Sequence, residues 1–208
     1  MEGSSHLRTL ILENLVLHLL SPRTPSPLLF LLPEEPQPLH RELSQKFLLE
    51  GFATLLPETF DPETLRSLFS SILELLKREK VFYSSLWLWG EGDGALLALR
   101  LALEYPSEVT GLVLDSFRPQ AQEALKELFP SLRKPYLLFH PQLAEDFPFT
   151  QMERMFTLSP GQAKKLLLVP GMRRGEVLHK SMDLYVQTVA EFINPRAGRF
   201  FRKSKISH

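Results

Sequence analysis

The sequence predicts an α/β protein, a three-layer fold with a mostly parallel sheet of about seven or eight strands. Three observations carry that expectation. Short apolar runs alternate with longer segments of helical period along the chain. The runs lack a polar alternate face, as strands buried on both sides must. The connections between them are short, as crossover units joined in one sheet require.

Each element follows from local chemistry. "LRTLILEN" and "LVLHLLSP" alternate around Glu13-Asn14, a turn-compatible pair, and predict a hairpin. The proline-rich "RTPSP" leads into "LLFLLP", an apolar strand stopped by Pro33. "LHRELSQKFLLEG" has helical spacing and a glycine where a C-cap belongs. "FATLLP" is a strand. In "DPETLRSLFSSILELLKREK", Asp61 is an N-cap, Pro62 fits the first helical position and Glu63 suits the first turn. Then follow strand "LWLW", helix "DGALLALRLALEY", strand "GLVLD" and helix "QAQEALKELF". Strand "PYLLFH", helix "FTQMERMFTL", strand "KKLLLVP" and helix "VLHKSMDLYVQTVAEFI" complete the series. Residues 1–194 form one domain, and 195–208 are a basic tail without apolar period.

Composition narrows the function classes. The chain has 208 residues, 44% hydrophobic and 23% charged, enough for a substantial core. Its net charge is zero, so the whole molecule offers no field for nucleic acid. There is no cysteine, which removes disulfides and thiolate chemistry and suits a reducing compartment. The first apolar stretch is broken by Glu13, Asn14 and His18, so no signal peptide or membrane span is expected, and the expected address is cytoplasmic. Seventeen prolines beside only two asparagines, Asn14 and Asn194, give a thermophile-like composition.

The informative turn is Gly90-Glu91-Gly92-Asp93-Gly94, between strand "LWLW" and helix "ALLALRLAL". Gly90-x-Gly92-x-x-Ala95 formally meets a dinucleotide fingerprint, with Asp115 ending the next strand. Glu91 and Asp93 oppose that use, because they would set carboxylates beside a pyrophosphate, and the loop does not follow the first strand. The other reading is a nucleophile elbow, in which small residues flank one presented side chain so that a strained turn can pass close to neighbouring backbone. Gly90 and Gly94 are the small residues.

From Leu7 to Ile193 the chain resembles a small α/β-hydrolase, nearest the dienelactone-hydrolase type without a large lid. The stretches that carry the likeness are "LEGFATLLPE", "LALEYPSEVTGLVLDS", "KPYLLFHPQLAEDFPFTQMERM" and "KKLLLVPGMRRGEVLH". They are similar to that family's fourth strand, third helix with sixth strand, acid-bearing loop and histidine-bearing loop. The resemblance implies a Ser or Cys nucleophile, an acid and a histidine. Here those positions hold Gly92, Ala144 and Arg174. Glycine cannot attack, alanine cannot orient a base, and arginine stays protonated. After "LLFLL", Pro33 lacks an N–H and Glu34-Glu35 oppose a developing oxyanion.

Two functions follow. In the first, the protein is a non-catalytic hydrolase-fold member, a pseudoenzyme, that binds a small molecule or a protein partner. Its binding residues are Glu34, Glu91, Asp93, His140 and Arg174, beyond the carboxyl ends of the strands with Asp115 and Arg173. Arg174 is expected to pair with Glu91 or Asp93, and His140 is the family's strand-end histidine, usually structural. In the second, the protein is an esterase- or dienelactone-hydrolase-like enzyme with relocated residues: Asp93 as nucleophile, Glu145 or Asp146 as acid, His179 as base. No cofactor or metal is expected. The leucine-rich helices suit a homodimer. The tail, with Arg196, Arg199, Phe200, Phe201, Arg202, Lys203 and Lys205, offers a patch for an acidic partner, nucleic acid or a membrane surface.

Overall fold

The computed structural model describes residues 6–195. The tail from Arg196 lies outside them. The chain opens with the antiparallel hairpin β1 (His6–Leu12) and β2 (Leu15–Ser21), turning at Glu13-Asn14 as expected. Glu13 takes a left-handed conformation, φ 53°. The strands β3 (Ser26–Leu32), β4 (Ala53–Pro57), β5 (Tyr83–Glu91), β6 (Gly111–Asp115), β7 (Tyr136–Pro141) and β8 (Lys164–Val169) complete one sheet. Its order is β1-β2-β4-β3-β5-β6-β7-β8, parallel from β4 to β8 and antiparallel in the first two pairings.

Among the described residues, six helices cover the sheet: α1 (Pro38–Leu49), α2 (Pro62–Arg78), α3 (Asp93–Glu104), α4 (Gln122–Leu128), α5 (Phe149–Leu158) and α6 (Glu176–Ile193). The period-2 direction of strand side chains sorts the core into two layers. Leu28, Phe30, Leu32, Leu86, Leu88, Leu112 and Leu114 face α2, α3, α4 and α5. Leu29, Leu31, Trp87, Trp89, Val113, Leu137 and Phe139 face α1 and α6. Both layers are buried, which is why these strands read as unbroken apolar runs.

Capping residues set the helix starts. Asp61 accepts from the backbone N–H of Glu63 at 3.3 Å, with Pro62 at the first helical position. In α2 the buried Leu65, Phe69, Ile72, Leu73 and Leu76 make one apolar stripe. In α1, Pro38 opens the helix, and the Gln37 N–H donates to His40 Nδ1 at 3.0 Å in a reciprocal cap.

Two elements depart from the expected spans. The helix read from "QAQEALKELF" is only seven residues long, flanked by 3-10 turns at Pro119–Ala121 and Phe129–Ser131. Prolines at the edges lack the N–H that would extend the helical ladder. The last helix is broken at Ser181 (φ −148°, ψ 38°), a break that the continuing apolar spacing of Leu178, Met182 and Tyr185 conceals. Among the described residues, no helix is long and apolar enough to cross a membrane.

Candidate functional site

The carboxyl ends of β3, β5, β6 and β7 converge around the turn from β5 into α3. A Cβ at Gly90 would lie 2.3 Å from the carbonyl oxygen of Gly94, and one at Gly94 would lie 1.7 Å from that of Leu32. No side chain fits at either place, so backbone packs on backbone. Gly92 between them has φ +60° and ψ −120° and caps the helix. This is the sharp strand-to-helix turn of a nucleophile elbow, with no side chain at its tip.

The space over that tip is filled from a neighbouring strand. A Cβ at Gly92 would stand 2.7 Å from Oε2 and 3.0 Å from Oε1 of Glu34. Glu34 follows β3, and the backbone N–H of Asp93, at the α3 N-terminus, donates to its Oε1 at 3.3 Å. The guanidinium Nε of Arg118, just beyond β6, donates to the same oxygen. Arg118 also lies 3.9 Å from the Asp93 carboxylate. Burial would raise the Glu34 pKa, but the hydrogen bond and charge of Arg118, with the Asp93 N–H, hold it below its ordinary value. Burial and the Glu34 charge push Asp93 the other way. The two carboxyls are thus pushed in opposite directions, Glu34 toward its ionised form and Asp93 away from it.

Beside this pair lies a cleft of about 180 Å³, whose walls include Glu34, Gln37, His40, Glu91, Arg118 and His179. Glu91 ends β5 on the α1/α6 side of the sheet, as the alternation from Trp87 and Trp89 requires. Its Oε2 is 4.0 Å from Nε2 of His40, whose side chain is 2% exposed. Among the described residues that nitrogen has no hydrogen-bond partner, and the ring leans against Trp89 at 6.0 Å between centroids.

Beneath the cleft a buried polar chain crosses the layer. The Trp89 indole N–H donates to the Tyr185 hydroxyl at 2.8 Å, and that hydroxyl lies in the field of Asp115. Asp115 accepts from Ser116 Oγ at 2.6 Å and is the register partner of Glu91. Its side chain is buried, and burial together with the Glu91 charge pushes its pKa up to about 7. Burial, with the charge of Asp115, likewise raises Tyr185 well above the ordinary tyrosine range.

The loops after β7 and β8 hold the remaining positions. Ala144 is buried and packs in the core. Arg174 sits 3.4 Å from Asp146, so the expected pairing with Glu91 or Asp93 is replaced by a bond between two neighbouring loops. Arg174 reaches Asp93 only through its field. His140 is buried, and its Nε2–H donates to the Phe147 carbonyl at 2.7 Å, pinning the loop after β7. Burial lowers its pKa, and the nearby Arg174 charge adds to that.

Thus Glu34, Asp93 and Glu91 gather around the elbow, whereas His140 and Arg174 tie the neighbouring loops. Sequence reading passed over His40, Arg118 and Tyr185. His40 and Tyr185 were absorbed into helical period. Arg118 carried a signal, since a lone arginine three residues beyond a strand end stands where ligands meet open sheets. Among the described residues, no group of three or more His, Cys, Asp or Glu is placed to hold a metal ion.

No protein-family model matches the sequence, and no curated protein matches it. Solved structures do resemble the fold. A dienelactone hydrolase from Anabaena variabilis superposes with a TM-score of 0.72 at 18% identity, over 91% of this chain and 96% of that one. A cold-adapted esterase from an Arctic intertidal metagenomic library gives 0.71 at 13% identity, over 93% and 99%. Est1E from Butyrivibrio proteoclasticus gives 0.66 at 14% identity, over 90% and 98%. Identities this low speak for architecture alone: the chain has the α/β-hydrolase fold, shared with dienelactone hydrolases and esterases.

Proposed function

We propose that this protein is a non-catalytic member of the α/β-hydrolase fold that binds a small molecule or a protein partner at the carboxyl end of its sheet. One observation carries this reading: the Glu34 carboxyl group, tied to Arg118, occupies the space over Gly92 where a nucleophile would project. An acyl oxyanion formed there would face a carboxylate, which opposes the charge that an oxyanion hole must stabilise. Arg174 at the family's histidine position cannot accept a proton near neutral pH. Glu34, Glu91 and Asp93 remain as polar groups for binding, with His140 and Arg174 setting the loops around them.

The alternative is an ester hydrolase with relocated groups. The names of the esterase and dienelactone-hydrolase neighbours favour it, as does Asp93, whose side chain is half-exposed at the α3 N-terminus. A panel of p-nitrophenyl esters with a fluorophosphonate probe tests both readings. The binding protein gives neither turnover nor labelling. Turnover abolished by Asp93→Asn, or labelling abolished by a specific serine substitution, overturns the non-catalytic reading.

A further inference from the structure

We infer that the outer edge of β1 is an interface for a second copy of this chain, whose own β1 pairs with it in antiparallel order, Thr9 facing Thr9 across a two-fold axis. Three strands separate β1 from β5, so this surface is independent of the chemistry at the elbow. Among the described residues the sheet has two open edges, β1 and β8. An open edge presents unpaired backbone N–H and C=O groups and invites another strand unless something blunts it. β8 is blunted: it begins with Lys164 and the exposed Lys165, and Pro170 follows it. The outward residues of β1 carry no such device, and β2 identifies them. The Glu58 N–H donates to the Val16 carbonyl at 2.9 Å, so Val16, and with it His18 and Leu20, turn their backbone groups toward β4. Their β1 partners Ile11, Thr9 and Leu7 therefore turn theirs away from β2, into the open. The side chains of these residues point away from Leu10 and the α2 layer; Leu7 is 72% and Ile11 63% exposed.

The edge is complementary to itself, and that selects both the occupant and the register. With Thr9 on the axis, Leu7 faces Ile11 of the second copy and Ile11 faces its Leu7. Each outward residue then exchanges both backbone hydrogen bonds. Leu20 already neighbours Leu7, and Val16 neighbours Ile11, so Leu20, Leu7, Ile11 and Val16 make one apolar row through both copies. Threonines directly opposite one another are a favourable cross-strand pair. Sliding the pairing one way sets Arg8 against Arg8, like charges face to face. Sliding it the other way carries Leu7 past the strand end to Glu13, in the hairpin turn. In the central register Arg8 faces Leu10 and keeps its bond to Glu79 at 2.7 Å.

The test is sedimentation velocity of the full chain across a concentration series from about 1 to about 500 µM. The expected result is a monomer–dimer equilibrium with a dissociation constant on the order of tens of micromolar, because an edge-strand contact sits at the small end of interface sizes. Hydrogen exchange at the amides of Leu7, Thr9 and Ile11 should slow at least about tenfold between the ends of that series. Exchange on the parent chain decides this independently of how any variant folds. Thr9 is exposed, and Thr9→Lys or Thr9→Glu sets like charges against each other on the axis. Each should weaken the dimer at least about tenfold, and an equal mixture of the two should associate at least about tenfold more tightly than either alone. That rescue requires Thr9 to face its own counterpart. Leu168→Lys, on the opposite edge strand, should change nothing. A monomer throughout the series, exchange indifferent to concentration, no gain on mixing, or a dimer lost in Leu168→Lys overturns the assignment.

Discussion

The Glu34 carboxylate stands where a side chain on Gly92 would have to be, 2.7 Å from the position of its missing Cβ. The two residues follow β3 and β5, neighbouring strands in the sheet, and together they close the elbow. Glycine is needed at the tip twice over, for its φ of +60° and for the room it leaves Glu34.

Gly92→Ala is therefore expected to destabilise the protein by about 1–3 kcal/mol, through backbone strain and the clash with Glu34. Combined with Glu34→Ala the clash term disappears, so the double variant should be more stable than additivity of the singles predicts. Chemical denaturation of the four proteins in the cycle measures this coupling.

Arg118→Met leaves Glu34 beside Asp93 without its counter-charge. Arg118 is 41% exposed, so the loss should be modest, about 1 kcal/mol, and larger at low ionic strength. The folded-state pKa of Glu34 is depressed, so its contribution is present above the unfolded value and lost as pH falls through the folded one. The variant should accordingly lose less stability on acidification below pH ~5 than the parent. Thermal melts across an acidic pH series give the comparison.

Asp115 behaves in the opposite sense. Its pKa is raised to about 7 in the fold, so the folded state holds a proton that the unfolded chain releases near pH ~4. Its contribution to stability falls as pH rises across that window and levels off above about 7. Asp115→Asn keeps the acceptor for Ser116 and removes the charge facing Glu91. It should gain about 2 kcal/mol relative to the parent at pH 8 and little at pH 4. Equal effects at both pH values would contradict the raised pKa.

Tyr185→Phe removes the hydroxyl that accepts from the Trp89 indole N–H. That buried N–H loses its partner, and a cost of about 1–3 kcal/mol is expected. The indole N–H of Trp89 should shift in the NMR spectrum, while the elbow beside Asp93 stays unperturbed.

Much of the architecture was legible because it is local. Apolar runs without alternation reported a sheet buried on both faces, and Asp61-Pro62 reported a helix start. The tight spacing of Gly90 and Gly94 announced backbone contact, and the structure gives the distances. The fold in turn implied which positions would meet at the strand ends.

Which charges pair there was decided only by the tertiary structure. Arg174, at the family's histidine position, was expected to pair with Glu91 or Asp93 beside the elbow, yet Asp146 reaches it first. Arg118 goes to Glu34 across 84 residues of sequence, and His40 meets Glu91 across two layers of the fold. Residue type and spacing set backbone geometry through local sterics and burial. Ion pairs and unmet donors depend on a few ångströms between segments far apart in the chain, and those distances exist only once the layers have packed.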